Sequence, residues 1–232
     1  MAKLSVIIPA YNEGKRIGKT LDRCISYLKK KYDSEIIVVD DGSTDDTKKI
    51  VKKFKNVKLI TYGTNQGKGH AVKVGVLNSS GDYILFCDAD LSTPIEEAEK
   101  LMEYIKKYDV VVASRALKNS EVETKIYRKL LGRVFAFFVN LFAVPEIKDT
   151  QCGFKLFRRK CAFDIFNKQK IKGWAFDVEV LFLGRKLGYK IKEIPVRWKH
   201  FDHSGVSPTG QSFRMLCEII KIRINYLFGL YK

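Results

Sequence analysis

The chain has few cysteines, and they lie far apart. There are five in 232 residues, and no two of them form a Cys-x-x-Cys pair. The odd number and the wide spacing argue against a disulfide framework and against a cysteine-based zinc site. Reduced thiols are typical of cytosolic proteins, so we expect a cytoplasmic protein.

Long apolar runs are also lacking. The most apolar tract, residues 134–144, contains Asn140 and is about half as long as the roughly 20 residues that a membrane-spanning helix needs. The first residues do not have the pattern of a signal peptide. We therefore predict no transmembrane helix.

Acidic residues are scarce relative to basic ones. The chain has 43 Lys and Arg against 26 Asp and Glu, a net charge of +17. Such a charge attracts nucleic acid, anionic lipid headgroups or phosphorylated substrates, although a generally lysine-rich surface has the same composition. No helix-turn-helix, zinc-finger or RNP-like string is present. A basic nucleic-acid-binding protein is therefore a remote alternative, and we expect no nucleic-acid partner.

Strands and helices alternate through the first half of the sequence. Short β-branched runs predict strands, and apolar residues at helical spacing between them predict helices. The predicted strands are 4–8, 35–39, 57–61, 83–87 and 109–113. The predicted helices are 17–28, 44–54, 70–77 and 94–107. Short connections between them predict an α/β fold, a Rossmann-like, mostly parallel sheet flanked by helices.

The second half is less regular. Helices are predicted at 122–142, 162–166, 176–187 and 213–230, and strands near 149–157 and 190–198. The last helix is amphipathic, so it either packs on the domain or lies on a membrane surface. We predict a single domain, 1–232, with a first half of residues 1–115 and a second half of residues 116–232 that ends in this helix.

Two carboxylates follow the apolar strand 83–87 directly. Asp88 and Asp90 are two residues apart, so on extended chain they point the same way and can reach one ion. Carboxylate oxygens suit Mg²⁺ or Mn²⁺, which often bring phosphates with them. The alternative is an acidic turn before a helix that starts near Pro94.

Polar clusters follow two other predicted strands, at residues 9–13 and at Asp40 and Asp41. Ligands of parallel sheets bind beyond the carboxyl ends of the strands. A carboxylate at position 40 can accept a hydrogen bond from a base N–H or a ribose hydroxyl, although a capped turn also explains the pair.

The glycine-rich loop 63–70 does not match a P-loop, because the spacing differs and Gly69 follows Lys68. What remains is a cation at the start of a helix. Lys68 is therefore either a diphosphate ligand or part of a surface turn.

Two acids stand in an aromatic stretch of the second half. Asp177 and Glu179 follow Trp174 and Phe176 closely. They could act as a base or orient an acceptor, or they could pair with nearby Lys and Arg side chains.

Together these residues resemble family-2 glycosyltransferases of the GT-A fold. The matching strings are residues 5–13, 40–47, 65–71 and 88–90, in the family's order. The resemblance implies that the first two strings bind the nucleotide and that Asp88 and Asp90 hold Mg²⁺ or Mn²⁺ on a nucleotide-sugar diphosphate. The implied nucleotide-sugar-binding residues are Pro9, Ala10, Tyr11, Glu13, Asp40, Asp41, Lys68, Asp88, Ala89 and Asp90.

Strings in the second half look like the dolichyl-phosphate glucosyltransferase branch of that family. They are residues 114–115, 149–157, 174–179 and 193–198. Related mannose synthases usually have Ser-Gly-Phe-Arg where this chain has Cys152 to Lys155. The second half would then form the acceptor side of the GT-A fold.

The resemblance implies an inverting, metal-dependent transfer of a hexose to a polyprenyl (dolichyl) phosphate. UDP-glucose is the favoured donor, with GDP-mannose or another nucleotide-sugar as the alternative. The implied catalytic residues are Asp88, Asp90, Asp177 and Lys68, and the implied acceptor-phosphate ligands are Arg115, Arg128 and Arg133. A phosphate monoester has a second pKa of about 6, so it needs no strong general base. We expect peripheral binding to an anionic membrane, at its cytoplasmic face; the oligomeric state stays open.

Overall fold

The computed structural model describes residues 3–123, 144–199 and 208–232. In the first half it contains the five strands that the sequence predicts. They are β1 Leu4–Ala10, β2 Ser34–Asp40, β3 Val57–Thr61, β4 Tyr83–Cys87 and β5 Val110–Ser114. The helices between them are α1 Ile17–Lys31, α2 Thr47–Val51, α3 Lys68–Leu77 and α4 Ala98–Tyr104, the last preceded by a 3₁₀ turn, Ile95–Glu97.

The second half adds strands and helices to the same framework. In chain order they are β6 Glu121–Glu123, β7 Phe154–Arg158, α5 Arg159–Lys168, α6 Phe176–Lys186, β8 Ile191–Pro195, β9 Arg197–Lys199 and α7 Pro208–Leu227. Two of these strands join the central sheet, so the two predicted halves share one sheet.

The central sheet has seven strands in the order β3-β2-β1-β4-β7-β5-β8. Every neighbouring pair is parallel except the two pairs that involve β7, which runs antiparallel between β4 and β5. The prediction of a mostly parallel sheet is confirmed.

Both faces of the sheet are buried, as expected where helices cover the two sides. On one face Ile7, Ile37 and Phe86 pack with residues of α3, α5 and α6. On the other face Val6 and Val38 pack with residues of α1 and α4. The polar groups of β1, β2 and β4 can therefore meet a ligand only at the strand ends.

The helix predicted over 122–142 is wrong at its start. Val122 lies in β6, which pairs in parallel with β9 and places Val122 opposite Trp198. Val122, an apolar residue between Glu121 and Glu123, follows the two-residue period of a strand. Three residues are too few for this pattern to predict a strand from the sequence. The rest of that prediction, including Arg128 and Arg133, lies outside the described residues.

Among the residues that the structure describes, no helix is both long and apolar enough to cross a membrane.

Candidate functional site

The carboxyl ends of three adjacent strands form the candidate site. In the sheet β1 lies between β2 and β4. Asp40 ends β2, and Asp88 follows β4 directly. The three polar clusters of the sequence therefore do meet at one edge. Together with the loop residues 66–68, which include the Lys68 that pairs with Asp88, they form what we call the donor edge: residues 9–13, 40–41, 66–68 and 88–90.

Lys68 and Asp88 form an ion pair at the donor edge. The Lys68 Nζ to Asp88 Oδ1 distance is 2.6 Å, and the exposed fractions of the two side chains are 14% and 32%. The ammonium also lies 4.8 Å from the ring centre of Trp174. Burial lowers the pKa of Lys68, but the charges of Asp88 and Asp177 outweigh it and raise the pKa above its ordinary value. Lys68 is therefore charged.

Gly153 fixes the position of Asp88 from the second half of the chain. Its carbonyl oxygen accepts a hydrogen bond from the Asp88 backbone N–H, 3.0 Å away. A Cβ at position 153 would lie 1.9 Å from Asp88 Oδ2. Only glycine leaves the Asp88 carboxylate in this place, so Gly153 is a site residue that the spacing of polar residues did not reveal.

The backbone around Asp90 is held from two sides. Asp90 Oδ1 accepts a hydrogen bond from Ser92 N–H at 2.8 Å. The carbonyl oxygen of the buried Ala89 accepts one from Thr20 Oγ1 on α1, at 2.6 Å. Leu91 has a φ of 48°, a left-handed conformation that turns the chain sharply after the pair.

The carboxylate oxygens of Asp88 and Asp90 are suitable ligands for a divalent cation that arrives with a substrate. Both residues are half-buried. Within the described residues no three His, Cys, Asp or Glu side chains cluster so as to hold a metal by themselves. Mg²⁺ is usually bound by one or two carboxylates together with substrate phosphates and waters, which matches two carboxylates beside a cation.

The two side-chain oxygens of Asp40 differ in their contacts. Its side chain is fully buried, and Oδ2 accepts a hydrogen bond from Thr61 Oγ1 at 3.1 Å. Oδ1 has no hydrogen-bond partner within the described part of the chain. A buried unpaired acceptor is costly, so this atom is suited to an N–H or O–H donor of a ligand.

Asp41 holds the loop in front of Lys68. Its two carboxylate oxygens accept hydrogen bonds from the backbone N–H groups of Gln66, at 2.8 Å, and Gly67, at 2.9 Å. Gly67 has a φ of 103°, which a side chain would strain. The predicted ligand contact of Asp41 stays a prediction; its observed contacts are with the protein.

The loops after β1 and β2 are tied together by Asn12, which the sequence analysis did not single out. Its backbone N–H donates to Ser43 Oγ at 2.9 Å, and its Oδ1 accepts from Thr44 N–H at 2.9 Å. Asn12 has a φ of 55°, a conformation that Asn adopts more readily than most residues. Beside it, Tyr11 is 46% exposed.

The remaining predicted residues of the first string have different surroundings. Pro9 and Ala10 are buried in β1. Glu13 pairs with Arg16. Burial raises the pKa of Glu13; Arg16 opposes this rise, and the nearby charges of Asp90 and Asp88 add to it.

Asp177 lies in a buried ion pair with Lys155. The exposed fractions of the two side chains are 1% for Asp177 and 0% for Lys155. Lys155 Nζ also donates to the Cys152 carbonyl oxygen at 2.7 Å. Burial raises the pKa of Asp177, and Lys155 and Lys68 oppose that rise. These surroundings favour a positioning role over that of a catalytic base.

Glu179, the other acid of the aromatic stretch, is also buried. It accepts hydrogen bonds from Ile171 N–H, at 2.8 Å, and from Tyr231 Oη, at 2.5 Å. It thus anchors residues 169–175, the segment that includes Trp174. This segment contacts α3, the helix that begins at Lys68: the His70 N–H donates to the Lys172 carbonyl oxygen at 3.2 Å.

Arg115 is engaged with Asp149 in two parallel hydrogen bonds. The distances are 2.7 Å from Nε and 2.8 Å from Nη2, and the Arg115 backbone N–H adds a third at 2.8 Å. An acceptor phosphate would have to compete with this carboxylate. Its predicted role as a phosphate ligand stays a prediction, as do those of Arg128 and Arg133.

Residues 5–166 match the family model described as glycosyl transferase family 2. The chain belongs to this family. The expectation of a glycosyltransferase is confirmed.

Relatives within the family match the chain along almost its whole length. A dolichyl-phosphate β-glucosyltransferase of Dictyostelium discoideum is 42% identical, with 99% of this chain and 76% of that protein covered. The enzymes of the same name from Saccharomyces cerevisiae (strain ATCC 204508 / S288c) and Homo sapiens are 39% and 36% identical, with 99% of this chain covered in each case and 76% and 78% of the relative. The resemblance to this branch is confirmed.

Solved structures of other glycosyltransferases share the fold. The mannosyl-3-phosphoglycerate synthase of Rubrobacter xylanophilus has a TM-score of 0.71 and 19% identity, covering 98% of this chain and 74% of that one. The glucosyl-3-phosphoglycerate synthase of Mycobacterium tuberculosis with Mn²⁺ and UDP-glucose has a TM-score of 0.68 and 19% identity, covering 97% and 78%. The expected GT-A fold is confirmed.

Proposed function

We propose that this family-2 glycosyltransferase transfers glucose from UDP-glucose to dolichyl phosphate or another polyprenyl phosphate, with inversion at the anomeric carbon. The observation that carries the proposal is the Asp88–Lys68 pair beside Asp90, at the edge where β1, β2 and β4 end. The names of the relatives at 36% to 42% identity support the glucosyl donor and the dolichyl acceptor.

The nucleotide would bind near the end of β2. Asp40 Oδ1, which accepts no hydrogen bond from the residues that the structure describes, offers a buried acceptor to the N–H of a base or to a ribose hydroxyl. Tyr11 is exposed beside it, at the start of the loop after β1. A flat exposed ring at this position can cover a base.

The diphosphate would bind between the carboxylate pair and Lys68. Asp88 and Asp90 would hold Mg²⁺ or Mn²⁺, which stabilises the negative charge of the departing diphosphate. Lys68 is half of an ion pair and stays charged. On donor binding its ammonium can move from Asp88 to a phosphate oxygen, since both are anionic acceptors within reach of one flexible side chain. The Mn²⁺ and UDP-glucose in the M. tuberculosis structure agree with this arrangement.

The acceptor phosphate needs no protein base. A phosphate monoester is largely dianionic at neutral pH, since its second pKa is about 6, and its oxygen can attack directly. Asp177 would then keep Lys155 in place under the site, because the two side chains are almost inaccessible to solvent. Reaction at the cytoplasmic face of a membrane, with peripheral binding to anionic lipid, fits a lipid-linked acceptor and a chain of net charge +17.

Product formation with a water-soluble, short-chain polyprenyl phosphate tests the proposal. The purified protein is incubated with Mn²⁺ and either UDP-glucose or GDP-mannose, and the lipid product is identified by mass spectrometry. We expect a glucosyl phosphate product, its anomeric configuration opposite to that of the donor. A product from GDP-mannose alone would replace the donor assignment, and no product with any nucleotide-sugar would overturn the proposal.

A further inference from the structure

The C-terminal helix α7 has two apolar faces, and only one of them is packed. Ile219 and Ile222 are 1% and 0% exposed and belong to the core beside α6. Tyr226 contacts Phe182 of α6 with ring centres 5.3 Å apart. This face explains why the helix is part of the domain.

The other apolar face is exposed, and we call its residues Ile220, Ile224, Leu227 and Phe228 the apolar stripe. Ile220, Ile224 and Leu227 follow one another at three- and four-residue intervals and so share one side of α7. Phe228 lies directly after the helix, in a turn where its N–H still donates to the Ile224 carbonyl oxygen at 3.0 Å. Their exposed fractions are 53%, 46%, 81% and 77%. Four large apolar side chains this exposed at the end of one helix form a patch rather than scattered surface residues, and such a patch marks an interaction site.

Basic residues flank the apolar stripe. Lys221 and Arg223 are exposed and lie on either side of it in the helical projection. Between residues 214 and 232 there are four basic residues and one acidic residue, Glu218. The acid is turned inward, since Glu218 Oε2 accepts a hydrogen bond from Ala175 N–H at 3.2 Å. The outward surface of the helix is therefore apolar and positively charged.

We propose that the apolar stripe of α7 docks the protein on an anionic lipid surface. An apolar helix face with Lys or Arg beside it is the pattern of helices that lie in the membrane interface. A two-fold pair of copies would instead bring the same basic residues of two highly positive chains together, which is unfavourable. The charge of the patch thus selects anionic lipid over a second copy.

Docking through α7 would also bind to the lipid a helix that is connected to the donor edge. Glu218 binds the segment 169–175 at Ala175, next to Trp174, which lies over Lys68. The helix on the membrane and the cation of the candidate site are thus joined by one short segment. The relevance of this geometry to a lipid-linked acceptor rests on the proposed function, whereas the docking itself does not.

Vesicle flotation with the full chain tests the docking surface. Wild type should float with vesicles of phosphatidylcholine and phosphatidylglycerol, and much less with phosphatidylcholine alone. The triple variant Ile224→Ser, Leu227→Ser, Phe228→Ser should bind the anionic vesicles at least about tenfold more weakly, because it loses the apolar area that would be buried. Its melting temperature should stay near that of wild type, since the three side chains are exposed.

Two controls distinguish binding through the apolar stripe from non-specific hydrophobic binding and from binding by net charge alone. Tyr104→Ser removes a 41% exposed aromatic from α4, which packs on the other face of the sheet, and should leave binding unchanged. Lys221→Glu should weaken binding more than Lys53→Glu, which changes an exposed lysine elsewhere and alters the net charge equally.

Two results would overturn the proposal. One is that wild type does not float with the anionic vesicles. The other is that the control variants lose as much binding as the variants at the apolar stripe and at Lys221. A wild-type dimer that becomes a monomer in the triple variant, with vesicle binding unchanged, would assign the stripe to a second copy instead. The vesicles contain no donor or acceptor, so the outcome is independent of catalysis. With the soluble acceptor the triple variant should turn over like wild type; absence of product from both would count against the proposed function alone.

Discussion

The donor edge and the second half of the chain both contain carboxylates paired with cations, but they differ in access. Asp88 is 32% exposed while it pairs with Lys68. Asp177 is 1% exposed while it pairs with the fully buried Lys155. The two ion pairs therefore have different roles. Lys68–Asp88, which we call the open pair, can give up its contact for a ligand. Lys155–Asp177, which we call the closed pair, can only stabilise the structure around it. This contrast separates residues expected to control turnover from residues expected to control stability.

The largest effect is expected at the open pair. Asp88→Asn should lower turnover by about a thousandfold, equivalent to about 4 kcal/mol, because a carboxylate that holds the diphosphate's counterion is lost. The melting temperature should change little, since the side chain is partly solvated. Steady-state kinetics and calorimetry check the two halves of this prediction. Glu103→Gln, at an exposed position on α4, is the matched control and should keep full activity.

The closed pair should respond in the opposite way. Asp177→Asn should lower the free energy of unfolding by about 3 kcal/mol, because the buried Lys155 ammonium loses its counter-charge. Urea denaturation measures this loss. The double variant Lys155→Met, Asp177→Leu should recover much of it, since an apolar pair of similar volume leaves no buried charge. If Asp177→Asn kept wild-type stability and lost as much activity as Asp88→Asn, Asp177 would belong to the reaction and the contrast would fail.

The ion pair of Arg115 and Asp149 is intermediate in exposure between the open and the closed pair. Its contribution to stability should depend on pH in the acid range. Burial alone would raise the pKa of Asp149, but the Arg115 guanidinium outweighs burial and holds that pKa below its ordinary value. The pair therefore stabilises the fold above the unfolded-state pKa of about 3.9 and ceases to do so as the pH falls through the lowered folded-state pKa.

The variant Arg115→Gln should lose about 2 kcal/mol of unfolding free energy at neutral pH, because a buried carboxylate loses its two charged hydrogen bonds. Urea denaturation at a series of pH values should show the difference from wild type begin to shrink as the pH falls below about 4 and disappear once the pH is below the lowered folded-state pKa of Asp149. A difference that stayed constant as the pH fell through the lowered folded-state pKa of Asp149 would mean that the charge of Asp149 does not account for the stabilisation. An acceptor-phosphate role would appear separately, as a higher KM for the polyprenyl phosphate.

The smallest effect is expected at Tyr231. Tyr231→Phe removes one hydrogen bond to the buried Glu179, whose oxygens still accept Lys170 and Ile171 N–H groups. The expected loss is about 1 kcal/mol of unfolding free energy, with the KM for the donor unchanged. Denaturation and kinetics together check it. A raised KM for the donor would show that Tyr231 also helps to position Lys68, through Glu179 and the segment 169–175.

The sequence predicts the donor edge well because its residues are local to strand ends. Asp40 and Asp88 each follow an apolar strand, and parallel strands bring such ends together by geometry alone. Lys68 at the start of α3 is placed by the same logic. The family resemblance added the division into nucleotide and metal ligands.

The contacts of the second half could not be predicted in the same way. Lys155 lies in an apolar strand, and its partner Asp177 is on a separate helix. The run 154–158 indicates a strand but carries no information on its neighbours, so its antiparallel insertion between β4 and β5 was not foreseen. Gly153 has meaning only because Asp88 lies against it. Such contacts depend on tertiary placement, which a single sequence does not encode in its local pattern.

The most direct test of the open pair is UDP binding with and without Mn²⁺, measured by isothermal titration calorimetry for wild type and Asp88→Asn. Our account predicts that Mn²⁺ raises the affinity of wild type for UDP by about tenfold or more and leaves that of the variant unchanged. Equal responses of the two proteins, or a wild type whose UDP affinity ignores Mn²⁺, would contradict the assignment of Asp88 to the metal and the donor diphosphate.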